Sequence, residues 1–147
     1  MDVLETPRLL LRSWQEGDLN CGVYEPPVIR MLMRRGDNYA LALLDSGRVI
    51  GSVGLNEDAL NAPGARNIGV LILPEYEGRG LMSEAVRAVI AYPPQGVTRL
   101  SWISREDDPR SLHLARKLGF ARQGLLRDGE SPALLVYHTL DISEDIP

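Results

Sequence analysis

Apolar residues occur along the chain in short runs that are bounded by turn-forming residues. Such runs predict β-strands at residues 8–12, 39–44, 48–55, 67–73, 97–104, 120–126 and 133–140. Asp45, Ser46 and Gly47 between the second and third runs have the composition of a hairpin turn. Gly51 and Gly54 within the third run indicate a bulge or a close approach of another backbone. The pattern therefore predicts about seven strands.

Three stretches have the helical period instead. They cover residues 27–35, 81–92 and 109–118. In the second stretch Leu81, Ala85 and Val89 share one face, and Glu84 and Arg87 point away from it. Caps are predicted at Asp108 before the third helix and at Gly36 and Gly119 after the first and third helices. The order of elements is that of one α+β or mixed-sheet α/β domain over residues 1–147.

A glycine-rich turn joins the strand at residues 67–73 to the helix that starts at Leu81. Gly78 and Gly80 give this turn a conformational freedom that other residues lack. The first N–H groups of the following helix have no intrahelical partner, and the helix dipole adds positive charge there. The turn is therefore either a tight connection or a seat for a phosphate or pyrophosphate group. It is not a Walker loop, because no Gly-Lys-Ser/Thr follows, and it is a poor dinucleotide fingerprint, because it lies in the middle of the chain and its glycine spacing differs.

Composition and charge narrow the function further. The chain has 147 residues and a formal net charge of −4, which argues against a general nucleic-acid binder and fits a cationic or amine substrate. One cysteine, Cys21, allows no internal disulfide, and His113 and His138 are too few for a zinc site. His113 is expected on the exposed side of its helix, and His138 is expected to have its hydrogen bonds satisfied within a strand. The N-terminus lacks an apolar signal core and no run reaches membrane-spanning length, so a cytoplasmic location is expected.

Four segments together resemble a known family. They are residues 4–12 (LETPRLLLR), 49–55 (VIGSVGL), 68–85 with the glycine turn, and 108–120 ending in KLGF. In this order and spacing the chain resembles a GNAT-superfamily acetyltransferase, of the branch that includes the ribosomal-protein N-terminal acetyltransferases. The resemblance covers nearly the whole chain. It implies a central, mostly antiparallel, twisted sheet with a splayed parallel strand pair and flanking helices, and acetyl-CoA as the cosubstrate.

The resemblance also implies where the coenzyme binds. Its pantetheine arm would lie along the strand at residues 70–73, and its pyrophosphate would lie on N–H groups of residues 78–82. The residues assigned to the coenzyme are Leu71, Ile72, Leu73, Glu77, Gly78, Arg79, Gly80, Leu81, Met82, Ser83, Asp108 and Ser111. The acceptor amine would attack the thioester directly, with a base for the amine and an acid for the leaving thiolate.

Several positions depart from the pattern of the family. Glu77 stands where Gln or Arg is usual, and Met82 where Gly or Ala is usual. Asp108 replaces an asparagine but serves equally as an N-cap. Ala115 occupies the position of a tyrosine acid, and Asn67 that of a glutamate base. The catalytic candidates that remain are Ser111 as the acid and Glu57 as the base.

The interval between residues 12 and 39 is about half the length that this branch usually has there. In the family the corresponding helices form a wall of the acceptor site. The resemblance therefore leaves two functions open. One is an N-acetyltransferase that acts on a protein N-terminus or a small primary amine; the other is a non-catalytic acyl-CoA-binding or interaction module. Homodimers occur among the relatives, and a second subunit could complete a shortened acceptor wall.

Overall fold

The computed structural model describes residues 2–127 and 129–142. It contains three α-helices in this part of the chain: α1 (Pro26–Arg35), α2 (Leu81–Ala91) and α3 (Pro109–Lys117). Its strands are β1 (Leu4–Glu5), β2 (Leu9–Ser13), β3 (Asn38–Leu43), β4 (Val49–Glu57), β5 (Ala65–Ile72), β6 (Arg99–Arg105), β7 (Ala121–Arg127) and β8 (Leu134–Asp141). The described strands number eight instead of about seven because β1 is added, pairing antiparallel with β2.

The strands pair in the order β1-β2-β3-β4-β5-β6-β8-β7. The pair formed by β5 and β6 is parallel, and its register covers Ala65–Asn67 and Arg99–Ser101. Other pairs of the sheet, such as β2 with β3 and β6 with β8, are antiparallel. The predicted mixed, mostly antiparallel sheet with a parallel pair is therefore confirmed.

By its internal contacts the chain forms two compact units. Unit 1 comprises Met1–Leu55 and Gly69–Pro94, and unit 2 comprises Asn56–Ile68 and Gln95–Pro147. Strand β5 contributes residues to both units. The glycine turn belongs to unit 1 and helix α3 to unit 2, so each is described within its own unit.

The segment between β2 and β3 packs its apolar residues on the sheet of unit 1. Ile29 and Leu32 of α1 are buried, whereas Arg30 and Arg34 are exposed, so the basic side chains occupy the solvated face of an amphipathic helix. Trp14 is 4% exposed, and its indole Nε1 donates a hydrogen bond of 2.8 Å to Asn38 Oδ1. This short segment therefore completes a core.

Gly51 allows a close approach between two backbones of unit 1. A Cβ atom at this position would collide with the carbonyl oxygen of Leu71 and lie 3.1 Å from Ile72 Cα. The register with β3 also shifts here, between Leu41 and Ala42. Both features expected from a glycine inside the strand are present.

Helix α3 of unit 2 has the predicted caps. The Asp108 carboxylate accepts a hydrogen bond of 3.2 Å from the N–H of Ser111, and Gly119 adopts a φ of 94° just after the helix. The N–H of Phe120 then donates to the carbonyl oxygen of Ala115, which closes the helix end. His113 lies on the exposed face, as expected.

His138 contradicts the expectation of a satisfied strand residue. Its side chain is buried in β8 at 5% exposure, and its Nδ1 atom has no hydrogen-bond partner among the described residues. Burial, with the nearby charges of Arg122 and Arg116, lowers the pKa of His138 below its usual value. The imidazole is therefore held neutral at physiological pH.

This neutral, buried imidazole predicts a loss of stability in mild acid. The unfolded chain binds a proton at His138 near pH 6.5, whereas the folded chain binds it only at a lower pH. The free energy of unfolding therefore falls as the pH drops below about 6.5. His138→Phe should remove about 1 kcal/mol of the difference in unfolding free energy between pH 7 and pH 5, measured by urea denaturation. Thr139→Val, at the next position of β8, alters no titrating group and is the control, which should leave that difference unchanged. An unaltered pH dependence in His138→Phe would contradict the prediction.

Candidate coenzyme-binding turn and polar clusters

The turn after β5 is shaped by two glycines with left-handed backbone angles. Gly78 and Gly80 both have a φ of 75°, and Gly80 is the N-cap residue of α2. A single 3-10 turn at Pro74–Tyr76 connects β5 to them. Since side chains with a Cβ atom rarely adopt this φ, the local sequence Gly-Arg-Gly dictates the turn.

The turn presents backbone donors at an open surface. The first intrahelical bond runs from the N–H of Glu84 to the carbonyl oxygen of Gly80, which leaves the N–H groups of Leu81, Met82 and Ser83 without an intrahelical acceptor. Gly78 is exposed, and a Cβ built there would meet no atom within 4 Å. Open space beside Gly78, N–H groups without an intrahelical acceptor and a positive helix end fit a diphosphate group.

Arg8 from the start of the chain contacts this turn. Its Nη1 donates a hydrogen bond of 2.9 Å to the carbonyl oxygen of Arg79, and its Nε donates one of 2.8 Å to Glu84 Oε1. Glu84 also accepts hydrogen bonds from the N–H of Arg8 and, at 2.6 Å, from the hydroxyl of Thr6. The sequence predicted that Glu84 points away from the apolar face of α2 but did not predict these contacts. The carboxylate is 16% exposed and joins α2 to the first strands.

The charge of Glu84 is stabilised by these contacts. Burial alone would raise the pKa of this carboxyl, but hydrogen bonds from Thr6 and Arg8 and the charge of Arg8 outweigh burial and lower the pKa. Glu84 is therefore ionised at neutral pH, and the ion pair with Arg8 persists there.

Tyr76 lies between two arginines beside the turn. The guanidinium carbons of Arg48 and Arg79 are 5.3 and 5.2 Å from the centre of its ring, which is cation–π distance. A surface pocket of about 290 Å³ adjoins this cluster and includes Arg8 and Leu81 in its lining. Sequence reasoning missed Arg8, Arg48 and Tyr76, since the first two lie more than 20 residues before the turn and no motif links them to it.

The strand residues assigned to the pantetheine arm differ in exposure. Leu71 is 38% exposed, whereas Ile72 is buried. The N–H of Leu73 donates a hydrogen bond of 2.8 Å to the carbonyl oxygen of Ile50, so this donor is used within unit 1. The assignment of Leu71, Ile72 and Leu73 to the coenzyme stays a prediction.

Ser111, the predicted acid, belongs to a cluster of hydroxyl groups in unit 2. Its Oγ lies 2.6 Å from Ser104 Oγ and accepts a hydrogen bond of 3.1 Å from Trp102 Nε1. The same indole N–H also donates to Ser104 Oγ at 3.0 Å. Trp102 is thus part of the core and at the same time the donor that organises both serines.

Glu57, the predicted base, is exposed at the end of β4, and its catalytic role stays a prediction. The neighbouring Asp58 is instead 4% exposed, and its Oδ1 accepts a hydrogen bond of 2.6 Å from the hydroxyl of Tyr137. Its Oδ2 accepts hydrogen bonds of 3.2 Å from the N–H groups of Leu60 and Ala62. The sequence analysis singled out Glu57 and not Asp58, because the burial of a carboxylate is not visible in a run of polar residues.

The Asp58 network shifts the pKa values of both partners. Burial would raise the pKa of Asp58, but hydrogen bonds from Tyr137, Ser101 and two backbone N–H groups outweigh it and hold that pKa below its usual value. Burial, and then the hydrogen bond and charge of Asp58, raise the pKa of Tyr137 to about 12. At neutral pH the pair is a carboxylate that accepts from a phenol.

Comparison with known proteins gives the family of the chain. The family model described as "Acetyltransferase (GNAT) domain" matches residues 28–121, which is more than half of the sequence. The chain therefore belongs to the GNAT acetyltransferase family. Among the described residues no helix has the length and hydropathy of a membrane span, and no group of side chains forms a metal-binding set.

Individual proteins with similar sequences or structures are also named as acetyltransferases. The "uncharacterized N-acetyltransferase YoaA" of Bacillus subtilis is 30% identical over 96 residues, which are 64% of this chain and 54% of that protein. The GNAT-family acetyltransferase structure from Bacillus anthracis has a TM-score of 0.78 at 17% identity, with 97% of this chain and 100% of that chain covered. RimL, a ribosomal L7/L12 alpha-N-protein acetyltransferase solved in complex with coenzyme A, has a TM-score of 0.74 at 17% identity, with 95% and 98% covered. At these identities the structures show a shared fold.

Proposed function

We propose that this protein is an N-acetyltransferase that transfers the acetyl group of acetyl-CoA to a primary amine. The observation that carries the proposal is the turn at residues 78–82, whose left-handed glycines and N–H groups without an intrahelical acceptor suit a diphosphate. Family membership and the coenzyme A complex of RimL support the choice of acetyl-CoA over other phosphate-bearing ligands. Acetyl-CoA supplies the acetyl group as a thioester.

In this proposal Ser111 protonates the sulfur of the leaving coenzyme. The hydroxyl of Ser104 is buried at 3% exposure, and its described polar neighbours are Trp102 Nε1, which can only donate, and Ser111 Oγ. Since a buried hydroxyl needs an acceptor for its proton, Ser104 donates to Ser111. Ser111 Oγ then accepts from both Ser104 and Trp102, so its own proton is free for another acceptor.

The proposed reaction needs one base and one acid. A C–N bond forms between the amine and the acetyl carbon as the C–S bond breaks, the amine loses a proton to a base, and sulfur receives one from Ser111. The two donors to Ser111 Oγ stabilise the negative charge that develops on this oxygen. Glu57 is the proposed base.

The charge of the chain and the proteins of similar structure both support a class of acceptor amine. A net charge of −4 favours a cationic amine over an acidic substrate. RimL is described as an alpha-N-protein acetyltransferase of ribosomal L7/L12, which supports a protein N-terminus as one candidate acceptor. A small primary amine is the other.

The test is release of coenzyme A thiol when the protein is mixed with acetyl-CoA and a panel of N-terminal peptides, amino acids and polyamines. We expect turnover with at least one amine, and we expect Ser111→Ala to lower kcat about 100-fold with little change in the KM for acetyl-CoA. His113→Ala, on the exposed face of the same helix, is the matched control and should keep wild-type kcat. An unchanged kcat in Ser111→Ala would contradict the role of this serine.

A second candidate is an acyl-CoA-binding module without transferase activity. It is favoured by Ala115, which is fully buried at the position where many relatives carry a tyrosine acid, and by the short segment before β3. In that case acetyl-CoA raises the melting temperature, because it binds the folded state, but no amine releases thiol.

A further inference from the structure

We propose that Arg8 is a positioning residue for the diphosphate of the coenzyme, acting through the carbonyl group of Arg79. The inference rests on the proposed function, because it assumes that the turn at residues 78–82 holds that diphosphate. It adds a residue from the N-terminal strands, outside the turn itself, to the machinery that binds acetyl-CoA.

The direction of one peptide group carries the argument. Arg8 Nη1 donates a hydrogen bond of 2.9 Å to the carbonyl oxygen of Arg79. That carbonyl shares a peptide plane with the N–H of Gly80, and the described chain contains no cis peptide bond. In a trans peptide the C=O and N–H point in opposite directions, so the contact with Arg8 directs the N–H of Gly80 away from Arg8. The cation also polarises this peptide and strengthens its N–H as a donor.

Arg8 is itself held in place by two further contacts. Its Nε and backbone N–H both bond to Glu84, in the first turn of α2, and Thr6 holds the same carboxylate. One side chain that bonds both Glu84 and the carbonyl group of Arg79 must be a planar guanidinium, since a lysine ammonium cannot reach both acceptors in one geometry. Thr6, Arg8 and Glu84 therefore fasten the turn and the start of the helix to the first strands.

The exposure of the guanidinium leaves room for a role beyond the ion pair with Glu84. The Arg8 side chain is 48% exposed, and its Nη2 lies 3.6 Å from where a Cβ of Gly80 would be. Nη2 has no hydrogen-bond partner among the described residues, so part of the charge remains available beside the turn.

The experiment compares coenzyme A with acetyl-pantetheine, which lacks the diphosphate, by isothermal titration calorimetry. The variants are Arg8→Lys, which keeps the ion pair with Glu84, and Arg8→Gln, which removes it. We expect both variants to bind coenzyme A about 10-fold more weakly and to bind acetyl-pantetheine as the wild type does. Arg87→Gln, on the exposed face of α2, is the matched arginine control and should bind both probes normally.

Every outcome of this experiment either supports or overturns the role of Arg8. Wild-type affinity for coenzyme A in Arg8→Lys and Arg8→Gln overturns it, as does an equal loss for both probes. Failure of both variants to fold, seen as the absence of a cooperative melting transition, assigns Arg8 to the fold alone and also overturns it. Thr6→Val keeps Arg8 but removes one bond to Glu84, and a 10-fold loss in this variant would locate the effect in Glu84 instead. If the wild type itself does not bind coenzyme A, the proposed function fails, and this result is distinct from the others.

Discussion

Replacing Gly80 by valine should abolish binding of acetyl-CoA while the domain stays folded. Gly80 has a φ of 75° as the N-cap of α2, and a β-branched residue at this angle would be strained and would move the N–H groups that follow. Several charge-assisted hydrogen bonds to the diphosphate would be lost together, so affinity should fall by about 100-fold or more. Isothermal titration calorimetry with acetyl-CoA measures the effect.

Gly36 provides the matched control for this substitution. It has a φ of 69° at the end of α1, also in unit 1, and a Cβ there would meet no atom within 4 Å. Gly36→Val therefore carries a similar backbone strain without touching the turn. Both variants should lose similar stability, and Gly36→Val should bind acetyl-CoA normally. Normal binding in Gly80→Val would disprove the placement of the diphosphate.

Replacing Asp58 by alanine should destabilise the protein by about 3 kcal/mol. The substitution leaves the hydroxyl of Tyr137 and the N–H groups of Leu60 and Ala62 without their acceptor in a buried site. Asp141, which pairs with Arg99 at the surface of the same unit with its side chain 68% exposed, is the matched control. Asp141→Ala should cost less than about 1 kcal/mol, since exposed ion pairs contribute little.

The effect of Asp58 should also depend on pH. Because its folded pKa lies below the unfolded value, the carboxylate contributes stability above about pH 4, and this contribution is lost as the pH falls through the folded pKa. The difference in unfolding free energy between wild type and Asp58→Asn should therefore narrow in acid. Urea denaturation at pH 7 and at pH 3 measures it, and a constant difference would show that the charge of Asp58 contributes nothing.

Local patterns in the sequence were sufficient to predict most of the fold. Apolar runs and turn residues predicted the strands, and Asp108 and Gly119 marked both ends of α3, because caps and turns depend on neighbouring residues. Strand β1 was missed, since two residues are too few to show a period. A close backbone approach at Gly51 was predicted from the glycine alone, but only the structure identified Leu71 as the residue that approaches it.

The polar contacts inside each unit were harder to predict. Arg8 meets Glu84 across a separation of 76 residues, and Asp58 meets Tyr137 across 79. No local pattern specifies such pairs, because each residue taken alone resembles an ordinary surface residue. Glu57 was chosen as the acidic residue nearest the expected acceptor end of the cleft. Alternation along β4 decides which of two neighbours faces inward, and the end of that strand could not be fixed from the sequence, so the burial of Asp58 was not predicted.

The distribution of the two tryptophans has a practical consequence. Trp14 lies in unit 1 and Trp102 in unit 2, and both are buried, at 4% and 3% exposure. Replacing one of them by phenylalanine leaves a single fluorophore whose emission reports on one half of the chain. Unfolding followed through each tryptophan in turn would reveal whether the two halves of the chain melt together.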